Sequence, residues 1–207
     1  MQDNTSLRSK ERLGRIVSRN FQKKSLGEDL YTANSDIPSV RAGLAASAGQ
    51  GHNIKVIDAN TAFLNASLPE SFETVYVRPL QTLVDFGLVE PGTVWRVLKA
   101  IHGLRVSPKT WGIERDKELK RTQIQVEGHH YVSEESAIDP SVWAIVRGAL
   151  NKAGVGCPTH RAYTSEGVEH GGCGYIVVYV DDFLIVGPDP VINAATAAIK
   201  AQLAISD

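Results

Sequence analysis

Two short apolar runs near the end of the chain, Tyr175-Ile-Val-Val-Tyr179 and Phe183-Leu-Ile-Val-Gly187, are separated by Val180 and two adjacent carboxylates, Asp181 and Asp182. Runs of this length, rich in β-branched and aromatic residues, predict strands. Asp tolerates turn geometry, so the acidic pair reads as the tip of a hairpin. Further strands are expected at residues 54–58, 74–78, 94–98 and 141–147, and at 15–21, where Arg15, Val17 and Arg19 share one face. The first run of the hairpin is expected to pair with 141–147 or with the run after the acidic turn. Helices are expected over 35–49, 108–120 and 191–203. Ser35, Asp36 or Ser39 is placed to cap the first, with Pro38 early in it. Ser107 reads as N-cap of the second, Pro108 as its first residue, and Trp111, Ile113 or Glu114, and Leu119 as its inner face. Residues 1–7 read as a disordered tail, 79–92 as a loop, and 148–174 as a Gly-rich insertion longer than a hairpin requires.

The carboxylates change the picture from architecture to chemistry. Two like charges at one hairpin tip repel, so the arrangement calls for a cation. Hard divalent ions such as Mg²⁺ take carboxylate oxygens together with waters and substrate phosphates. A third carboxylate, Asp58, ends the strand Ile54-Lys-Val-Ile-Asp58, where it faces the tip if the two strands are neighbours. Two metals about 3.5–4 Å apart, held by carboxylates from separate strands, form the usual clamp for in-line phosphoryl displacement. The plainer alternatives are a solvated turn at Asp181 and Asp182 and, for Asp58, a cap on the turn that follows it.

Tyr179-Val-Asp-Asp182, preceded by Ile57-Asp-Ala-Asn-Thr-Ala-Phe-Leu-Asn65, resembles the catalytic core of copia-type (Ty1/copia) retrotransposon reverse transcriptases. Leu98-Lys-Ala-Ile-His-Gly-Leu-Arg-Val-Ser-Pro-Lys-Thr-Trp111, Val75-Tyr-Val-Arg-Pro79 and Asp139-Pro-Ser141 are similar to further blocks of that family, in its order and spacing. Tyr-x-Asp-Asp alone is weakly specific, whereas ordered blocks running from about Arg15 to the chain end are specific.

The resemblance implies an α+β fold: a reverse-transcriptase palm, an antiparallel sheet backed by helices, with short N-terminal fingers, spanning residues 8–207. It implies an RNA-directed DNA polymerase in which Asp58, Asp181 and Asp182 hold two Mg²⁺ ions, with Mn²⁺ as a substitute. Tyr179 and Val180 support the aspartates. Arg15 and Arg19 (Lys10 and Arg12 less strongly) meet the incoming triphosphate, Phe63 acts as a steric gate against the ribose 2′-hydroxyl, and His102 and Gly103 lie beneath the nucleotide. The family usually carries Tyr where this chain has His102 and Gln where it has Val106. The implied partners are an RNA template, a DNA primer and deoxynucleoside triphosphates. A thumb, a connection and a ribonuclease H region, which the family places next, are missing, and the resemblance therefore implies a truncated core of a polyprotein.

Composition bounds these expectations. The 207 residues are 43% hydrophobic and 22% charged, ordinary for a globular domain. A net charge of −1 is low for a nucleic-acid binder, but residues 8–24 carry seven basic side chains against one acidic, enough for local phosphate contacts. No apolar run approaches a membrane span, the N-terminus is no signal peptide, and two cysteines make no disulfide framework. An intracellular location is expected, in a cytoplasmic particle or the nucleus. Cys157, His160, His170 and Cys173 supply zinc-type ligands, though their order matches no established motif. Two other readings stay open: a transposon relic that keeps the palm fold without chemistry, and another palm enzyme such as a nucleotide cyclase or RNA-directed RNA polymerase.

Overall fold

The computed structural model describes residues 35–70, 74–158, 163–164, 167–168, 172–203 and 205–206. The tail at 1–7 and the basic strand expected at 15–21, with Arg15 and Arg19, lie outside these residues.

The first elements among the described residues are helix α1 (Ile37–Gly49) and strand β1 (Asn53–Ala59). A 3₁₀ turn (Ala62–Asn65) follows, then a small ribbon of β2 (Tyr76–Val77) and β3 (Trp95–Arg96), with the short helix α2 (Gln81–Asp85) between them. Helix α3 (Ser107–Arg121) leads into β4 (Gln123–Val126), β5 (His129–Glu135) and β6 (Val142–Leu150). After β7 (Gly156–Pro158) and the minor pair β8 (Tyr163–Thr164) and β9 (Gly167–Val168) come β10 (Gly172–Tyr179) and β11 (Asp182–Gly187). Helix α4 (Asp189–Gln202) and β12 (Ile205–Ser206) close the chain.

One curled antiparallel sheet dominates, in the order β12-β1-β11-β10-β6-β5-β4, with β7 on β6. Strand β10 pairs with both β6 and β11, so the two expected alternatives hold together. Side chains alternate across a sheet, and a slip of one residue would turn every core side chain out. Here Ile57 lies opposite Phe183 and Val178 opposite Phe183, all three on the buried face. That face also carries Ile145, Ile176 and Ile185, and packs against Trp111 and Leu119 of α3 and Val191, Ile192, Ala195 and Ile199 of α4. The class is α+β, with helices backing an antiparallel sheet.

Helix α1 lies against the opposite face. Near its end the Ser47 hydroxyl donates to the Tyr175 hydroxyl at 2.9 Å. Gly43 lets the Tyr175 ring approach so closely that a Cβ there would stand 2.9 Å from three ring-end atoms. At its start the cap is remote. The Asp36 side chain makes no capping bond; instead the buried Asp139 carboxylate accepts the Asp36 N–H at 3.2 Å and the Ser141 N–H at 2.9 Å. An anion at a helix N-terminus is favourable, and these hydrogen bonds hold Asp139 below the usual carboxylate range despite burial.

Several local expectations are corrected. Val106, not Ser107, is the N-cap of α3, because the Ser107 hydroxyl donates to the Ile101 carbonyl at 2.6 Å. The inner face of α3 comprises Ser107, Thr110, Trp111, Gly112, Arg115 and Leu119, while Ile113 is 58% exposed. The region 79–92 is not all loop, since it contains α2. Residues 148–150 lie in β6, and β7 pairs back onto them.

Candidate active site

Strand β1 sets the first carboxylate. Ile57 and Ala59 are buried on the core face, so Asp58 between them takes the outer face with the exposed Ile54 and Val56. Asp58 is the direct cross-strand partner of Asp182. Cβ atoms of such pairs lie about 4.5–5.5 Å apart. The expected hairpin tip moves by one residue: Val180 and Asp181 make the turn, and Asp182 already opens β11, opposite Tyr179. Asp58 caps no helix either, since Thr61 takes the N-cap position of the 3₁₀ turn.

Two hydrogen bonds fix the turn from different elements. The Ala59 N–H donates to the Asp181 carbonyl at 2.9 Å. The Trp111 indole Nε1–H donates to the Val180 carbonyl at 2.8 Å. Val180 is held at φ 54°, a left-handed conformation that a β-branched residue rarely adopts.

Among the described residues none of Asp58, Asp181 and Asp182 has a hydrogen-bond or ion-pair partner for its side chain. Partial desolvation, and then the Asp181 and Asp58 charges, push the Asp182 carboxyl above its ordinary value. Among the described residues no three His, Cys, Asp or Glu side chains stand close enough together to hold a metal ion as they are. The chemistry of the donors still fits a hard divalent cation: three carboxylates offering oxygen ligands, and mutual repulsion that a cation relieves. Asp58 and Asp182 are exposed and Asp181 is half-buried, and side chains in such settings change χ1 rotamer readily.

Phe63 and His102 meet nearby. Phe63 sits in the 3₁₀ turn after β1, partly buried against the core. Its ring meets His102 edge-on, with centroids 4.8 Å apart and planes at 61°. Gly103 follows at φ 92°, a conformation open to glycine. Tyr179 is 57% exposed. Beside it, a cavity of about 390 Å³ runs between α1 and the sheet, lined by Ile37, Val40, Arg41, Val56, Leu184 and Asp182.

Of the zinc-type residues, His160 and His170 lie outside the described residues. Cys173 is free and half-buried, and burial pushes its thiol up to about 11. Sequence reasoning missed two contributors, Trp111 as donor to the turn and Asp139 as remote cap of α1. Both stand in blocks that the sequence singles out, but an indole aimed at a carbonyl 69 residues away leaves no local signal.

Comparison with known proteins follows the same direction. The chain is 29% identical over 191 residues to the retrovirus-related Pol polyprotein from transposon RE2 of Arabidopsis thaliana, covering 91% of this chain and 11% of that protein. It is 27% identical over 179 residues to the corresponding polyprotein from transposon RE1, covering 85% of this chain and 10% of that protein. The chain thus spans about a tenth of the length of these curated relatives. No protein-family profile and no solved structure matches it. The chain is similar to a segment of these retrotransposon Pol polyproteins. No helix among the described residues is long and apolar enough to cross a membrane.

Proposed function

We propose that this chain is the RNA-directed DNA polymerase core of a copia-type retrotransposon polyprotein, with the curled sheet as a palm and the N-terminal segment as short fingers. The observation that carries this reading is the register of β1 on β11. It puts Asp58 directly opposite Asp182, with Asp181 in the adjoining turn, on the sheet face away from the core helices α3 and α4.

In this reading the primer 3′-hydroxyl attacks the α-phosphorus of a deoxynucleoside triphosphate. The new O3′–P bond forms as the bond to the β-phosphate oxygen breaks; pyrophosphate leaves and the hydroxyl proton passes to solvent. Two Mg²⁺ ions, or Mn²⁺, supply charge neutralisation when bound. The chain's own groups hold the geometry. Asp58, Asp181 and Asp182 furnish the oxygen ligands, Tyr179 and Val180 shape the turn, and Phe63, stiffened by His102, crowds the sugar 2′-position. His102 and Gly103 lie under the nucleotide, and Arg15 and Arg19 meet its phosphates. Base pairing with the RNA template selects the nucleotide. Thumb and ribonuclease H functions belong to other parts of such a polyprotein, and the setting is a cytoplasmic particle or the nucleus.

The test is primer extension on an RNA template with Mg²⁺, beside Asp181→Asn and Asp182→Asn. Extension by the wild type alone is expected, and equal signal from all three proteins would remove the catalytic claim. In the same assay Phe63→Ala should raise ribonucleotide use relative to deoxynucleotide; an unchanged ratio would remove the steric gate.

A further inference from the structure

The turn that carries Asp181 is held in a conformation its own sequence resists. Val180 is β-branched, and at φ 54° its Cβ crowds the backbone. Glycine would adopt that geometry freely. Such a residue stays strained only when its surroundings over-determine it, and here the restraints are few. On one side the β10–β11 ladder ends at Tyr179 and Asp182. On the other, the Ala59 N–H reaches Asp181 rather than Val180. Among the described residues the Val180 carbonyl has one donor, the indole of Trp111 at 2.8 Å. That indole cannot drift, because Trp111 is 1% exposed and packed in the core between α3 and the sheet.

We propose that Trp111 is the positioning residue of the carboxylate turn: its indole N–H latches the strained Val180 peptide and so aims Asp181 and Asp182 at Asp58. Trp111 does not touch substrate. It acts through the backbone, by making the left-handed turn the lowest-energy one. Without the bond, Val180 relaxes toward the extended or right-handed region, and the peptide that carries Asp181 rotates with it. This rests on the reading of the three aspartates as a metal site.

The test is Mn²⁺ binding at equilibrium, followed by electron paramagnetic resonance, for the wild type, Asp182→Asn, Trp111→Phe and the double variant Trp111→Phe/Val180→Gly. Phenylalanine keeps most of the buried volume and removes the donor. Its Mn²⁺ affinity is expected to fall about threefold to tenfold, the equivalent of one neutral hydrogen bond. Glycine at 180 removes the strain that the latch restrains, so the double variant should recover to within about twofold of wild type. A purely structural role for Trp111 would not give that recovery.

Unchanged affinity in Trp111→Phe, or a double variant as weak as Trp111→Phe, would overturn the latch while leaving the metal site standing. Wild-type binding no tighter than that of Asp182→Asn would overturn the metal reading and the latch with it. Should Trp111→Phe fail to fold, indole N–H exchange in the wild type decides. The Trp111 proton is expected to exchange far more slowly than that of the half-exposed Trp95, and to shift on addition of Mg²⁺. Exchange as fast as at Trp95, or no shift, would overturn the latch.

Discussion

At Asp182, desolvation and the charges of Asp181 and Asp58 all favour the protonated carboxyl. The folded state therefore takes up a proton there more readily than the unfolded chain. With the folded pKa raised, the metal-free protein gains stability as pH falls from the raised value toward the ordinary carboxylate value of about 4. Asp139 has the opposite sign. Its pKa is depressed by backbone and side-chain hydrogen bonds, so its contribution is present above the ordinary value and lost as pH falls through the depressed one. Melting temperature against pH should thus rise on mild acidification and fall below about pH 4. Asp182→Asn should flatten the rise and melt higher than wild type at pH 7 in the absence of metal. A wild-type-like slope in Asp182→Asn would contradict this assignment. At this scale the three aspartates were legible because each sits beside an apolar β-branched run. Val180 as the strained residue was not, since the sequence pointed to the Asp pair as the tip.

Helix α3 shows the same tension between charge and packing at the level of an element. Arg115 is 1% exposed on its inner face, both its Nε and Nη2 reach one oxygen of Asp116, and among the described residues its Nη1 has no partner. Desolvation still outweighs the Arg115 charge and raises the Asp116 pKa. Removing only the acid strands a buried guanidinium, which costs about 3 kcal/mol. In a chain of this length that corresponds to a loss of roughly 6–12 °C in melting temperature for Asp116→Ala. Arg115→Met/Asp116→Ala removes both charges and is expected to melt at or above wild type, since an apolar replacement of a buried pair is often neutral or stabilising. A double variant less stable than Asp116→Ala, in the same thermal scans, would contradict it. The helix itself was legible from Ser107-Pro108 and its length; of its inner face Trp111 and Leu119 were legible and Arg115 was not, because a charged residue there breaks the apolar spacing. The β4–β5 hairpin went unread for a related reason. Its strands are half polar, and its turn, Glu127-Gly128 at φ 49° and 78°, lacks the Asn-Gly or Asp-Gly pair that usually marks such turns.

For the molecule as a whole, the sheet order does what local sequence cannot. Residues 58 and 182 stand 124 positions apart, and only β1 lying beside β11 in one register makes them partners. Most element positions could be read from period and punctuation, while the α+β class came from the resemblance of the ordered blocks. Which strand neighbours which is set by tertiary packing, chiefly by α3 and α4 covering one face and α1 the other. The central claim is that three aspartates from two strands and a turn act as one metal site. Its most direct test is a double-mutant cycle on Mn²⁺ affinity with Asp58→Asn, Asp182→Asn and both together. One shared site makes the effects non-additive: each single change should lower affinity at least tenfold, and the pair should be little worse than either. Additive losses, or an Asp58→Asn protein that binds Mn²⁺ like wild type, would show that Asp58 and the hairpin do not share an ion.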